Sequence, residues 1–156
     1  MQIELINNQR KTELDLKSIE KATSYIADKF DPDTGKSLNI IFVNDKEVKM
    51  LNKNHRDIDR VTDVLSFSYL DGLIEKDKDA YPSIIGEVYI SPAIALKNAL
   101  EQGEGWSLEL EIILLIVHGI LHIYGYDHED NESRAVMYNI QNSLIFDIRN
   151  RNRDST

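Results

Sequence analysis

The 156-residue sequence contains no cysteine, which excludes disulfides and any thiolate metal site. Soft-metal chemistry must therefore use imidazole, and a cysteine-free chain suits a reducing cytoplasm without demanding one. Basic residues are scarce as well. Lys and Arg number 18 against 27 Asp and Glu, for a net charge of −9 and a pI near 4.9. That balance argues against a protein that coats nucleic acid through a broad basic face, yet it leaves room for a small local phosphate site. Long apolar runs are also missing. The start, Met1 to Ile6, lacks the basic region and apolar run of a secretory signal. The most apolar stretch, Ile112 to Val117, is far shorter than the ~20 residues a membrane span needs. No internal repeat, linker or low-complexity segment is found. The expectation from these absences is a soluble, cytoplasmic protein with no membrane partner.

What is present alternates between strand and helix patterns. Ile3 and Leu5 against Gln2 and Glu4 predict a first strand over 2–7. Leu16, Ile19, Ala22, Ile26 and Phe30 recur at helical spacing and predict an amphipathic helix over 15–30, closed by the turn residues 31–35. Residues 38–43 read as a buried strand, followed by a short helix capped by Asn44 with Glu47 three positions on. Residues 62–68 and 84–90 read as the third and fourth strands, on either side of an acidic, turn-rich loop over 71–83 expected to be mobile. Ser91-Pro92 starts a helix that stops near Gly103. Ser107 caps the next helix, which is apolar on nearly all sides from Leu108 to Ile123 and so should be the buried central one. A last helix, about Asn131 to Arg149, carries Met137, Ile140, Leu144 and Ile148 on one stripe, before a polar tail. The predicted fold class is α+β: a small mixed four-stranded sheet packed with about five helices.

The most informative stretch is residues 118–128, which holds three of the four histidines. His118 and His122 are four apart, so both imidazoles project from one face of the central helix. A single histidine on an apolar helix is usually a core residue with a hydrogen-bond partner. Two of them there carry a polar cost unless something satisfies both. Gly125 stands where the helix should end, since glycine takes the left-handed turn without a Cβ penalty. A chain turning back there can bring His128 to the same point. Three converging neutral imidazoles describe a catalytic zinc site with one position open, a zincin-like metal helix. Nickel, copper or iron would also suit three imidazoles.

The spacing of His118, His122, Gly125 and His128 resembles the extended zinc-protease signature, with Gly119 standing where the protease carries its catalytic glutamate. A peptidase relying on that carboxylate would lose its base. The block His118-Gly119-x-Leu121-His122-x-x-Gly125-Tyr126-Asp127-His128 resembles the signature of the YbeY family of bacterial endoribonucleases. Two further blocks are similar to that family's pattern: Leu51-Asn52…Arg56…Thr62-Asp63-Val64-Leu65-Ser66-Phe67, and Gly86-Glu87-Val88-Tyr89-Ile90-Ser91.

The resemblance implies a hydrolase domain over 1–150 with a polar tail over 151–156. It would hold one zinc ion by His118, His122 and His128. The implied activity is single-strand-specific hydrolysis of RNA phosphodiesters, in maturation of the 16S ribosomal RNA 3′ end and in ribosome quality control. The implied partners are RNA of the small ribosomal subunit, with ribosomal proteins or an assembly GTPase. Arg56 falls at the family's functional arginine, where its guanidinium would grip a phosphate; read from the residues alone it is a surface arginine on a polar stretch. Asp127 stands either as an orienting group for a ligand imidazole or as a turn cap. Tyr124 and Tyr126 read as packing around the turn or as base-stacking surfaces. Two rival functions remain at this level. One is a zinc peptidase or amidase with its base elsewhere, for which Glu87 is a candidate. The other is a non-catalytic ribosome-assembly factor with structural zinc.

Overall fold

The computed structural model describes residues 1–32, 35–70, 83–127 and 129–154. Asp33 and Thr34 of the predicted turn, the acidic loop up to residue 82, and His128 lie outside the described residues. The chain runs β1 (Gln2–Asn7), α1 (Leu16–Phe30), β2 (Ser37–Phe42), α2 (Asp45–Arg56), β3 (Val64–Ser68), β4 (Ile84–Ile90), α3 (Pro92–Gln102), α4 (Leu108–Ile123) and α5 (Asn131–Asp154). The sheet order is β1-β2-β4-β3. β1, β2 and β4 are parallel, and β3 joins β4 antiparallel as an edge strand. This is the expected α+β arrangement of a mixed four-stranded sheet with five helices.

The two-residue period of the strands sorts their side chains between two unlike faces. Leu38, Ile40, Phe42, Val88 and Ile90 join the main core with α1 and α4. On the opposite face a smaller cluster of Ile41, Val43 and Val48 packs with Ile6 and Tyr89 beneath α2. Helix α4 supplies the deepest layer: Ile112, Ile116, Ile120 and Leu121 are fully buried. Two glycines let it lie that close. At Gly86 a Cβ would meet the Phe67 carbonyl oxygen at 2.6 Å and the Ile123 Cδ1 at 2.8 Å. At Gly119 it would sit 2.7 and 2.9 Å from the Val88 methyls and 3.1 Å from Ser66 Oγ. The Ser68 hydroxyl donates to the Ile123 carbonyl at 3.0 Å, tying the end of α4 to the edge strand.

Apart from one-residue shifts at α1 and β2, two boundaries differ from expectation. β3 begins at Val64 rather than Thr62. Asp63 instead anchors α3, its carbonyl accepting from the Ser91 N–H at 3.0 Å and its carboxylate from Asn98 Nδ2 at 3.2 Å. Helix α5 continues to Asp154 where a polar tail was expected from 151. Arg151 sits over the Tyr25 ring at 4.3 Å, a cation–π contact that holds the added turn. Ser155 and Thr156 lie outside the described residues. Among the described residues, no helix is long and apolar enough to cross a membrane.

One acid is buried near the start of α4. Glu111 is only 4% exposed and accepts from Trp106 Nε1 at 2.7 Å. Burial pushes its carboxyl up, the Trp106 bond opposes this, and the charge of Asp63 adds to the rise. Because the folded-state pKa lies above the ordinary value, the folded form takes up the proton first. Stability should therefore rise as pH falls from the raised value toward the ordinary carboxylate range. Glu111→Gln is expected to flatten that part of the stability–pH curve, a difference that urea melts at a series of pH values will read.

Candidate metal and phosphate site

Ser107 starts α4 by accepting from the Leu110 N–H, and Glu109 and Glu111 lie in the first turn, where negative charge complements the helix dipole. Four turns later the helix ends in a Schellman turn. The Tyr126 N–H bonds to the Leu121 carbonyl and the Gly125 N–H to the His122 carbonyl, each at 3.0 Å, with Gly125 at φ 89°. The predicted glycine turn is thus formed, and it redirects the chain directly after His122.

His118 and His122 lie on the half-buried side of α4 rather than in its core. Their ring centroids are 4.5 Å apart at 77°, and the two Nε2 atoms are 2.9 Å apart. His118 Nδ1 faces Gln141 Oε1 of α5 at 3.3 Å. An amide oxygen only accepts, so in the tautomer protonated at Nδ1 the ring donates to Gln141 and its Nε2 lone pair faces the His122 ring. A tetrahedral zinc with Zn–N bonds of about 2.0–2.1 Å separates two ligand nitrogens by about 3.3 Å. The observed Nε2 pair is slightly closer than this, and two imidazole nitrogens this near each other are a donor set that fits a cation. Among the described residues, no group of three or more His, Asp or Glu side chains forms a metal cluster, and the third expected ligand, His128, is outside them.

Arg56 closes α2, and its position is built by the turn after it. Asp57 takes the left-handed conformation at φ 58° and its N–H returns to the Lys53 carbonyl. Buried Asn52 donates from Nδ2 to the Arg60 carbonyl at 2.9 Å, which pins the following loop. The exposed Arg56 guanidinium reaches the Ser66 carbonyl at 3.5 Å, a weak contact at the sheet edge. Ser66 is also the residue whose hydroxyl faces Gly119. Arg56 is thereby tied from the α2 side to β3, the edge strand against which Gly119 packs, and among the described residues no carboxylate is paired with it.

Other residues singled out from the sequence have structural roles. Tyr124 stacks on Phe30 at 5.4 Å and donates to Asp31 at 3.1 Å. Asp127 accepts the Glu129 N–H at 3.3 Å as a turn cap. Glu87 lies on the α2 side of the sheet, opposite Val88 and the histidine helix, where the Tyr89 hydroxyl donates to it at 2.8 Å. Burial and the neighbouring Glu87 carboxylate push Tyr89 up to about 12. Sequence reasoning passed over Gln141. The signal was a lone amide at the centre of the apolar stripe Met137, Ile140, Leu144 and Ile148, which is 7% exposed in the fold.

Comparison with known proteins bears on this geometry. A family model described as Endoribonuclease YbeY matches residues 4–149. A relative of that name from Ureaplasma urealyticum is 31% identical over 148 residues, covering 92% of this chain and 90% of its own. One from Acidothermus cellulolyticus is 34% identical over 146 residues, covering 90% and 87%. One from Synechocystis sp. is 36% identical over 124 residues, covering 78% and 68%. The solution structure of TM1509 from Thermotoga maritima superposes with a TM-score of 0.64 at 30% identity, over 98% of this chain and 93% of that one.

Proposed function

Since the chain belongs to the Endoribonuclease YbeY family, we propose that it is a metal-dependent, single-strand-specific endoribonuclease. The substrate we propose is ribosomal RNA of the small subunit, processed at the 16S 3′ end and in ribosome quality control in the cytoplasm, beside ribosomal proteins or an assembly GTPase. The hydrolase unit spans 1–150. The observation that supports this best is the pair of half-buried imidazoles with Nε2 atoms 2.9 Å apart on the family's signature helix. His118, His122 and His128 would hold one zinc ion. When bound, zinc supplies Lewis-acid stabilisation of a phosphoryl oxygen and activation of water.

The chain's own residues do the rest. Gln141 holds the His118 proton at Nδ1 and fixes the ring. Arg56 presents a fork of N–H donors to phosphate oxygens, where charge grows in the transition state. Gly119 leaves the protease base position empty of any carboxylate, and Glu87 is on the far face of the sheet. Neither residue supports the peptidase reading. Cleavage of single-stranded RNA before and after chelation, with elemental analysis of the purified protein, tests the proposal. RNA left intact by metal-loaded protein would sink it.

Gln141→Leu removes the acceptor beside His118. Zinc affinity is expected to weaken by about 10–100-fold, measured by chelator competition. Gln141→Glu retains an acceptor and should recover most of the loss. Equal affinity in all three proteins would remove Gln141 from the site.

A further inference from the structure

A groove of about 420 Å³ runs along the seam of α4 and α5, lined by Trp106, Leu114, Tyr138, Gln141, Phe146 and Arg149 among others. It adjoins the histidine site through one shared residue. Gln141 lines the groove and also contacts His118. Leu114 lies one helical turn before His118, about 6 Å along the axis. The groove is rich in aromatic surface that folding leaves uncovered: Phe146 is 65% exposed and Tyr138 47%. Arg149 lies over the Trp106 ring at 5.7 Å.

Its charge sets it apart in a chain of net charge −9. Four other clefts carry carboxylates: Asp15 and Glu109 beside Lys21 and Arg151 in one, Asp147 beside Lys29 in a second, Glu4 and Glu20 alone in a third, and Asp127, Asp130 and Glu132 alone in a fourth. Among the described residues the α4–α5 groove carries none, and Arg149 is its one charged lining residue. An anionic polymer meets a cation and no carboxylate in this groove, whereas the two clefts lined by acids alone repel it.

We infer that the α4–α5 groove binds an unpaired nucleobase of the RNA strand flanking the phosphodiester at the histidine site, an inference that rests on the nuclease reading above. Tyr138 and Phe146 offer flat faces on which any base stacks without sequence preference. Arg149 neutralises the adjoining phosphate. A base paired within a duplex presents no free face, so the groove selects single strands by what it stacks.

The test compares kcat/KM of wild type, Tyr138→Ala, Phe146→Ala and Phe146→Tyr on a single-stranded oligoadenylate, and on the same strand with an abasic position beside the cleaved bond. Both alanine variants are expected to lose about tenfold on the intact strand. Phe146→Tyr should recover it, and the abasic strand should show little difference among the four proteins. Both side chains are largely exposed, so thermal melts should coincide with wild type. Equal kcat/KM for wild type and both alanine variants overturns the subsite and leaves the nuclease reading standing. No cleavage by wild type overturns both. A wild-type dimer that Phe146→Ala converts to monomer, with cleavage unchanged, gives the groove to a second copy of the chain and also overturns it.

Discussion

Replacing His118 by alanine is expected to reduce RNA cleavage by about a thousandfold while the fold survives. The magnitude follows from the several kcal/mol of transition-state stabilisation that a bound cation provides, at about 1.4 kcal/mol for each factor of ten. Survival of the fold follows from where the histidine sits. Helix α4 is held by Ile112, Ile116, Ile120 and Leu121, all fully buried, whereas His118 lies on its half-buried side. The structural cost is the Gln141 amide left without its imidazole partner, about 1–3 kcal/mol, or a few degrees of Tm. Chelation should copy the substitution: cleavage lost, most of the melting temperature kept. A collapse of Tm in step with the loss of cleavage would instead support a structural metal and the assembly-factor reading. The measurement is a paired one, in which a thermal melt and a cleavage rate are taken on the same preparations of wild type, His118→Ala and His122→Ala.

Gly119→Glu, which restores the full zinc-protease signature on paper, is expected to destabilise the protein strongly and to create no peptidase. A Cβ at this position is already 2.7 and 2.9 Å from the Val88 methyls, closer than side chains approach. Val88 is fully buried and β-branched, so it has no flexible end to swing away. The helix and sheet must part or the core must repack. For Gly119→Ala alone the cost should be about 1–3 kcal/mol, lowering Tm by roughly 2–12 °C in a chain of this length. The longer, charged side chain should cost more, because its carboxylate would enter the interface with Val88 and Ser66. Pairing Gly119→Ala with Val88→Ala makes room and should recover part of the loss relative to the sum of the two single changes. Simple additivity of the three melts would show that Gly119 is not there for close approach. The contact also explains why a glycine stands at this point of the signature: α4 turns this position onto the sheet, so the helix cannot present a carboxylate there without separating from β4.

The helices and strands were readable because local physics decides them. Ser107, Asn44 and Ser91 cap their helices through their own hydroxyl or amide groups, and the apolar spacing of α1 needs no distant partner to be recognised. The i, i+4 histidines and the glycine turn after them belong to the same class, since a helix puts such residues on one face wherever it is packed. Where α5 would end was not legible, because its last turn is held by Arg151 over Tyr25 of α1, a contact between residues far apart in sequence. The same holds for Gln141, whose meaning comes from His118 on another helix, and for Arg56, whose guanidinium reaches a strand edge. Strand order and the side of the sheet on which Glu87 falls are likewise set by pairing across the chain. By itself, the sequence determined the elements, the histidine face and the family, all of which rest on periodicity and short-range chemistry. The tertiary structure alone decided why Gly119 is a glycine, which amide orients His118 and which groove is free of carboxylates, because each depends on surfaces that meet only when the chain has folded.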